Sequence, residues 1–478
     1  MAPSPTGPFH WGTARTAVFN WLFARKHGGV FVVRIEDTDK ERSEKRFETG
    51  IFEGLKWLGL DWDEGSVDPE TLEEKPRGSF GPYRQSERTA IYKEYLEKLL
   101  HEEKAYYCYC TKEELEGERQ GMMADGLAPK YSGHCRNLSK PPVGKEPQVI
   151  RFKTPEIKIE FKDIIRGGIS FDATLFGDFA IAKNTEAPLF HFAVVVDDYL
   201  MQISHVIRGE DHIPNTPKQI LIGKALGFSE PLYAHLPLVL GQNREKLSKR
   251  YLSVPLTDYN NMGYLSEAVI NFTSFLGWHP KDDAEILTPQ EIIDQFDLKR
   301  VQKAGAIFNE EKLLWMNAQH IHRLSSEDLE KKLRSFLALR SSITMPSEKF
   351  RRLAALEQSR MKTLNDFIES TDFFFTLSGY TGDLLIYKGQ TKENSLEVLR
   401  ALIVSLQEVP ESFERSIFLG KIDLLVERWG RGGVLWPLRV AVSGKTASPD
   451  PLDIIEILGK EETLKRLEIA VVKLNELV

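Results

Sequence analysis

Three short stretches carry residue types suited to handling phosphate and carboxylate groups. In "PFHWGT", His10 and Gly12 stand where a loop meets the start of a helical pattern. Free backbone N–H groups and the positive end of a helix dipole favour a phosphate at such a point, and a glycine lets the main chain come close. In "GQNREKLSKR" (241–250), Lys246 and Lys249 follow Gly241 on a loop that could carry two ammonium groups onto a polyphosphate. In "IRGEDH" (207–212), Arg208 stands just past an apolar run, where α/β sheets bind ligands. A fixed guanidinium there grips a carboxylate through two parallel hydrogen bonds. Each stretch alone has a plainer reading: a surface histidine in a turn, a solvated basic loop, and an internal ion pair of Arg208 with Asp198, Glu210 or Asp211.

A fourth cluster is made of thiols. The chain has three cysteines, Cys108 and Cys110 in "CYC" and Cys135 in "YSGHC". Zinc takes four N, S or O donors in a tetrahedron, and His134 is the fourth donor that chemistry alone suggests. The alternative is a set of reduced, partly buried cysteines. Two other motifs are set aside. "SGKT" (443–446) looks like the end of a phosphate-binding loop, but the glycine that should open the motif falls on Arg439. "RWGRGG" (428–433) reads as an ordinary loop, with contact to RNA phosphate as the other option.

The elements that must position these residues follow from the hydrophobic pattern. Ala14, Ala17, Val18, Trp21 and Leu22 fall on one helical face over 10–29, with Arg25 and Lys26 at its negative end and Gly28-Gly29 to stop it. "VFVVRIEDTD" (30–39) reads as a buried strand ending in acids. The order is loop, helix, strand, a βαβ unit without its first strand. A helix-rich stretch runs from Glu87 to about 120, short strands with turns from 148 to 185, and a continuous apolar strand is expected within 190–212. A helix over 215–227 is capped by Asn215 or Thr216 and ends at Gly227. The α/β pattern resumes near 186 after about a hundred residues of other material, as an insertion or as a second α/β half. From about 260 onward the pattern is helical.

Composition narrows the class. A chain of 478 residues suggests about three to five domains. A net charge of -7 excludes a globally basic nucleic-acid binder but leaves room for a local basic groove. No apolar run is long enough for a membrane helix and no secretory leader is visible. With an odd cysteine count, these features place the expected location in the cytoplasm.

The three phosphate- and carboxylate-binding stretches together resemble a class I aminoacyl-tRNA synthetase, with "HWGT" and "KLSKR" as its two signatures. "APSPTG", "RIEDTD", "YRQSER", "FAVVVDDYLMQISHVIRGEDHIPNTPKQ", "EAVINFTSFLGW" and "NEEKLLWMN" narrow the resemblance to bacterial-type glutamyl-tRNA synthetases, over essentially the whole chain. The resemblance implies an α/β Rossmann-like catalytic domain in two halves (1–84 and 186–240) around an inserted α+β connective domain that binds the tRNA acceptor (85–185). A stem-contact domain with the "KLSKR" loop (241–320) and all-α anticodon-binding domains (321–478) would follow. It implies ligation of L-glutamate to tRNA(Glu) through glutamyl-adenylate, with ATP and Mg2+, by a monomer.

By resemblance, Ser4, His10, Gly12, Thr13, Lys246 and Lys249 hold ATP, with His10, Gly12 and the two lysines as the catalytic set. Ala2, Ser4, Glu36, Phe190 and Arg208 line the glutamate pocket, Arg208 for the side-chain carboxylate and Glu36 for the ammonium. Zinc would be held by Cys108, Cys110, Tyr131 and Cys135, with His134 as the alternative ligand. The chain departs from the family at Phe190, where a tyrosine is usual, at Trp11, where a smaller apolar residue is usual, and at Asn137, where some members have a zinc-binding histidine. The family's first strand, and the arginine that ends it two residues before Ala2, are absent, so an upstream start is expected. A glutaminyl or tRNA-modifying relative and a non-catalytic paralogue are the competing readings. The lysine pair and the helical C-terminal third count against both.

Overall fold

The computed structural model describes residues 1–245, 254–338, 340, 345–377, 379–410 and 415–477. Lys246 and Lys249 lie outside the described residues. The chain forms two compact units, Met1–Asn261 with Ser266–Leu313, and Met262–Leu265 with Leu314–Val478.

The first unit begins with the loop 1–10 and helix α1 (Trp11–Lys26). Its apolar stripe faces inward, with Ala14, Ala17, Val18, Trp21 and Leu22 all buried. His10 caps it, and past the cap residue His27 the chain turns at Gly28 with a φ of +60°. Arg25 in the last turn pairs with Asp61 and Asp63. The strand read over 30–39 is shorter than expected. Only Val32–Val33 (β1) forms a ladder, parallel to Glu64–Gly65 (β2). On its other side, Met1 donates to the carbonyl of Val32 at 2.7 Å, and the N–H groups of Arg34 and Glu36 donate to Met1 and Pro3 at 3.0 Å. Lys45–Trp57 forms α2.

In the stretch read as helix-rich, a strand separates two helices. Thr89–His101 (α3) is followed by Ala105–Cys108 (β3) and then Lys112–Ala124 (α4). β3 opens a four-stranded antiparallel sheet with Val149–Phe152 (β4), Ala180–Asn184 (β7) and Ala187–Pro188 (β8), in the order β3-β4-β7-β8. Between them, Lys158–Asp163 (β5) and Gly167–Asp172 (β6) form an antiparallel hairpin. This hairpin does not join the sheet around it.

The segment 190–212 corrects the strand expectation. Phe190–Leu200 is a helix, α5, and the strand β9 covers only His205–Gly209. The triple valine Val194–Val196 reads as β by propensity, but burial decides. Phe192, Ala193, Val194 and Val196 are buried, and the fully buried Asp197 accepts hydrogen bonds from Gln85, Arg88 and Tyr92. Tertiary packing overrides local preference here. Thr216–Leu226 (α6) ends at Gly227 as read, although its N-cap residue Asn215 makes no capping bond. Leu232–Leu236 (β10) then completes a sheet in the order β6-β5-β10-β9. In it β9, β10 and β5 are parallel, with Asp163 in register with Tyr233. The hairpin from the 85–185 stretch therefore extends the sheet that carries Arg208.

In the second unit every described element is a helix or a short helical turn. Ser326–Ala338, Ser347–Gln358 and Leu364–Phe375 bury Leu329, Leu333, Phe350, Leu353 and Phe367. Lys392–Gln407, Arg415–Trp429, Arg431–Ser443, Pro451–Leu458 and Lys460–Asn475 follow. "SGKT" lies at the C-terminal end of the helix Arg431–Ser443, so no helix N-terminus is offered to a phosphate. "RWGRGG" spans the turn between two helices, with Arg428 stacked on Trp429 at 4.2 Å. Arg466 is buried and donates to the carbonyls of Phe373 and Val442 at 2.8 and 2.6 Å, with Glu462 as its counter-charge. It ties three helices by groups that have no access to water. Arg466→Met is expected to destabilise the helical unit by about 2–4 kcal/mol, because two buried carbonyls lose their donor. Urea denaturation of the full chain followed by circular dichroism measures it. A loss under about 0.5 kcal/mol would show that those carbonyls are served in another way.

Candidate active site

One cavity of about 530 Å³ in the first unit gathers the described residues read from the sequence for ATP and glutamate. Ala2 and Ser4 reach it from the opening loop, His10, Gly12 and Thr13 from the start of α1, and Glu36 from the turn after β1. Phe190 enters from the start of α5 and Arg208 from the end of β9. These residues are distant in sequence and meet because α1 and the end of β9 face the same space. Asn20 of α1 fixes that approach by donating to the carbonyl of Ile207 at 2.9 Å.

His10 caps α1 in an uncommon way. Its Nδ1 accepts from the Gly12 N–H at 3.1 Å. That bond requires an unprotonated Nδ1, so the neutral ring carries its proton on Nε2, 3.4 Å from the Thr13 hydroxyl. Burial lowers the pKa of the ring and favours this neutral form. A Cβ at position 12 would lie 3.1 Å from the His10 ring, so glycine leaves the imidazole its place. Trp11 faces the other way. It is fully buried and packs edge-on against Tyr259, Phe272 and Phe308 at 5.0–5.7 Å, which anchors the N-terminus of α1.

Arg208 has none of the acidic partners that would make it an internal ion pair. Asp198 pairs with Arg34, Glu210 with Arg166, and Asp211 with His212. The guanidinium is held by neutral acceptors instead: Nε by His235 at 3.3 Å, one terminal nitrogen by Thr216 at 2.8 Å and Gln219 at 2.7 Å. Burial lowers its pKa, the direction expected of a cation short of counter-charge.

Arg34, which the sequence reading passed over, is the opposite case. It meets Glu36 at 3.1 Å, Asp198 at 2.8 Å and Asp197 at 3.6 Å, and these charges raise its pKa against the effect of burial. The signal was available: Arg34 and Glu36 are two apart in an extended run, hence on one face. Arg15 was also missed. It is one of the buried residues lining the cavity and donates to the carbonyl of Pro237.

The thiols of Cys108, Cys110 and Cys135 lie within 4.8 Å of one another, all buried. The Tyr131 hydroxyl stands 3.5 Å from Cys108 Sγ and 3.6 Å from Cys110 Sγ, and accepts from the Cys135 N–H at 2.8 Å. His134 is exposed and is not part of the cluster. Burial pushes the Cys110 thiol up to about 12, while hydrogen bonds from Tyr131 and Arg151 bring Cys108 below the usual range despite its burial. Three soft donors and one oxygen converging on a common point fit a tetrahedral zinc.

The comparisons with known proteins cover the stretch that holds this cavity. Residues 1–315 match the family described as tRNA synthetases class I (E and Q), catalytic domain, and residues 328–471 match an anticodon binding domain. The chain belongs to the glutamate–tRNA ligase family. It is 42% identical to glutamate–tRNA ligase 2 of Thermoanaerobacter pseudethanolicus over 98% of this chain and 97% of that one. It is also 42% identical to the glutamate–tRNA ligase of Bacillus licheniformis, with the same coverage. A crystal structure of a glutamate tRNA ligase from Elizabethkingia meningosepticum in complex with its amino acid superposes with a TM-score of 0.86 at 34% identity, covering 99% and 98% of the two chains.

Burial raises Glu36 to about 7 in spite of the charge and hydrogen bond of Arg34. Below that pH the carboxyl is increasingly protonated and offers no charge to a cationic ligand group. With L-glutamate as the probe, binding of an ammonium group at Glu36 is therefore expected to weaken as the pH falls from about 8 to about 6, and Glu36→Gln is expected to flatten that profile. Calorimetric dissociation constants across the range measure both. A pH profile unchanged in Glu36→Gln would assign the titration to another group.

Proposed function

We propose that the chain joins L-glutamate to tRNA(Glu) in two steps. The α-carboxylate of glutamate attacks the α-phosphorus of MgATP, forming glutamyl-adenylate and releasing pyrophosphate. A terminal ribose hydroxyl of the tRNA then attacks the acyl carbon and AMP departs. No protein nucleophile is needed, and the chain's part is positioning and charge stabilisation. The observation that carries this reading is Arg208, a guanidinium without an acidic partner among the described residues, lining the same cavity as the N-terminus of α1. The names of the relatives support the same reaction.

Each group has a role that its surroundings support. The His10 Nε2–H and the free N–H groups at the start of α1 bind phosphate oxygens. Arg208 binds the side-chain carboxylate of glutamate and Glu36 its ammonium. Ala2 and Ser4 line the pocket, and Phe190 closes it with a ring that has no hydroxyl. A neutral amide in place of the substrate carboxylate would leave the Arg208 charge unmatched, which discriminates against glutamine. Lys246 and Lys249 neutralise the leaving pyrophosphate. The helices beyond 321 read the anticodon by stacking and hydrogen bonding to splayed bases. Zinc on Cys108, Cys110, Cys135 and Tyr131 holds the insertion together and takes no part in the chemistry.

Glutamate-dependent pyrophosphate exchange in the presence of tRNA tests the reading. Arg208→Gln is expected to abolish exchange with glutamate, and an unchanged specificity constant would refute the assignment. Exchange that requires glutamine instead would point to the glutaminyl relative. For the metal, purified chain is expected to contain about one zinc per molecule and Cys108→Ser to lose it. Elemental analysis that finds no zinc in the unmodified chain would leave the thiols as a reduced cluster.

A further inference from the structure

We propose that Asp163, acting through His235, is a positioning residue for Arg208. This rests on the reading that Arg208 holds the substrate's side-chain carboxylate. Asp163 and His235 are both fully buried, with His235 Nδ1 2.7 Å from Asp163 Oδ2. The carboxylate also receives the N–H groups of Ile165, Arg166 and His235 at 2.7–3.0 Å. Four donors satisfy it, so it remains ionised and can only accept. The His235 Nδ1 must then carry the proton, which leaves a bare lone pair on Nε2. That lone pair faces two donors, Arg208 Nε at 3.3 Å and the Thr216 hydroxyl at 3.1 Å.

The order of the bonds gives the arrangement its meaning. In the other tautomer, His235 would present an N–H to the Arg208 N–H, donor against donor. Asp163 prevents this. With Nε on His235 and one terminal nitrogen on Thr216 and Gln219, one edge of the guanidinium is fixed. The remaining terminal nitrogen makes no hydrogen bond among the described residues. Asp163 belongs to β5 and His235 to β10, and the two strands are in register beside each other. The hairpin from the 85–185 stretch thus sets the tautomer that orients the pocket arginine.

Full-length protein is assayed by pyrophosphate exchange with tRNA present. Asp163→Asn is expected to raise KM for glutamate roughly tenfold while KM for ATP stays within about twofold. His235→Gln, whose amide oxygen can stand where Nε2 lies, is expected to remain within about threefold of the parent, and His235→Asn, too short to reach Arg208, to lose glutamate as Asp163→Asn does. In the double variant Asp163→Asn with His235→Gln, the aspartate change is expected to add little to KM for glutamate beyond the His235→Gln value, because its effect on Arg208 runs through the histidine ring, while the loss of its backbone N–H contacts is felt in stability. Additive effects, an equal rise in both KM values, or His235→Gln as impaired as His235→Asn would overturn the proposal. If Asp163→Asn does not fold, the ring-nitrogen shifts of 15N-labelled His235 in the unmodified protein decide it: a protonated Nδ1 supports the relay and a protonated Nε2 overturns it. Arg208→Gln run alongside separates the two claims: an intact KM there sinks the reading of Arg208, whereas its loss together with an unaffected Asp163→Asn sinks only the relay.

Discussion

Burying a cation without an anion is the constraint on which the cavity depends. The desolvation of an arginine costs several kcal/mol unless its charge is met. Three arginines, Arg15, Arg34 and Arg208, line this cavity, and the last two are treated differently. Arg34 is surrounded by Glu36, Asp197 and Asp198, and Asp197 is held in turn by Arg88, Gln85 and Tyr92. That network meets the charge of Arg34 and sets three carboxylates against two guanidinium groups, so the excess there is negative. Arg208 is given only hydroxyl, amide and imidazole acceptors, which satisfy its N–H groups but not its charge. A ligand carboxylate is the natural completion of such a site, and a neutral isostere is not.

The fold serves this difference through where its strands end. β9 delivers Arg208 at its C-terminal edge, and α1 begins across the same space with its unpaired N–H groups and His10. Trp11, packed among Tyr259, Phe272 and Phe308, fixes the height at which α1 starts. His10 at the start of α1 and Arg208 near the end of β9 thereby line one cavity from a helix and a strand.

How much of this could be read in the sequence depends on distance along the chain. The stripe of α1, its stop at Gly28 and the helix ending at Gly227 are local and were legible. So was the gathering of His10, Gly12, Glu36 and Arg208, because the motifs carry a family resemblance that periodicity alone does not supply. The helix α5 was not legible. Val194–Val196 favours a strand by propensity, and only the burial of Asp197 among Gln85, Arg88 and Tyr92 shows why the helix wins. The short strand β3 was hidden inside a run of helix-forming residues, since its stability comes from β4, which lies some forty residues further on.

The partners of Arg208 mark the limit most clearly. Thr216 and Gln219 lie on the helix that follows it, and a helical reading of 215–227 places them near. Asp163 and His235 are 72 residues apart and belong to stretches that look unrelated by pattern. Nothing in either neighbourhood announces a pair. Yet a neutral histidine can accept from an arginine only if its other nitrogen is committed as a donor, and a buried carboxylate is what commits it. The orientation of Arg208 thus depends on a contact that neither neighbourhood discloses, the proton on His235 and the aspartate that accepts it.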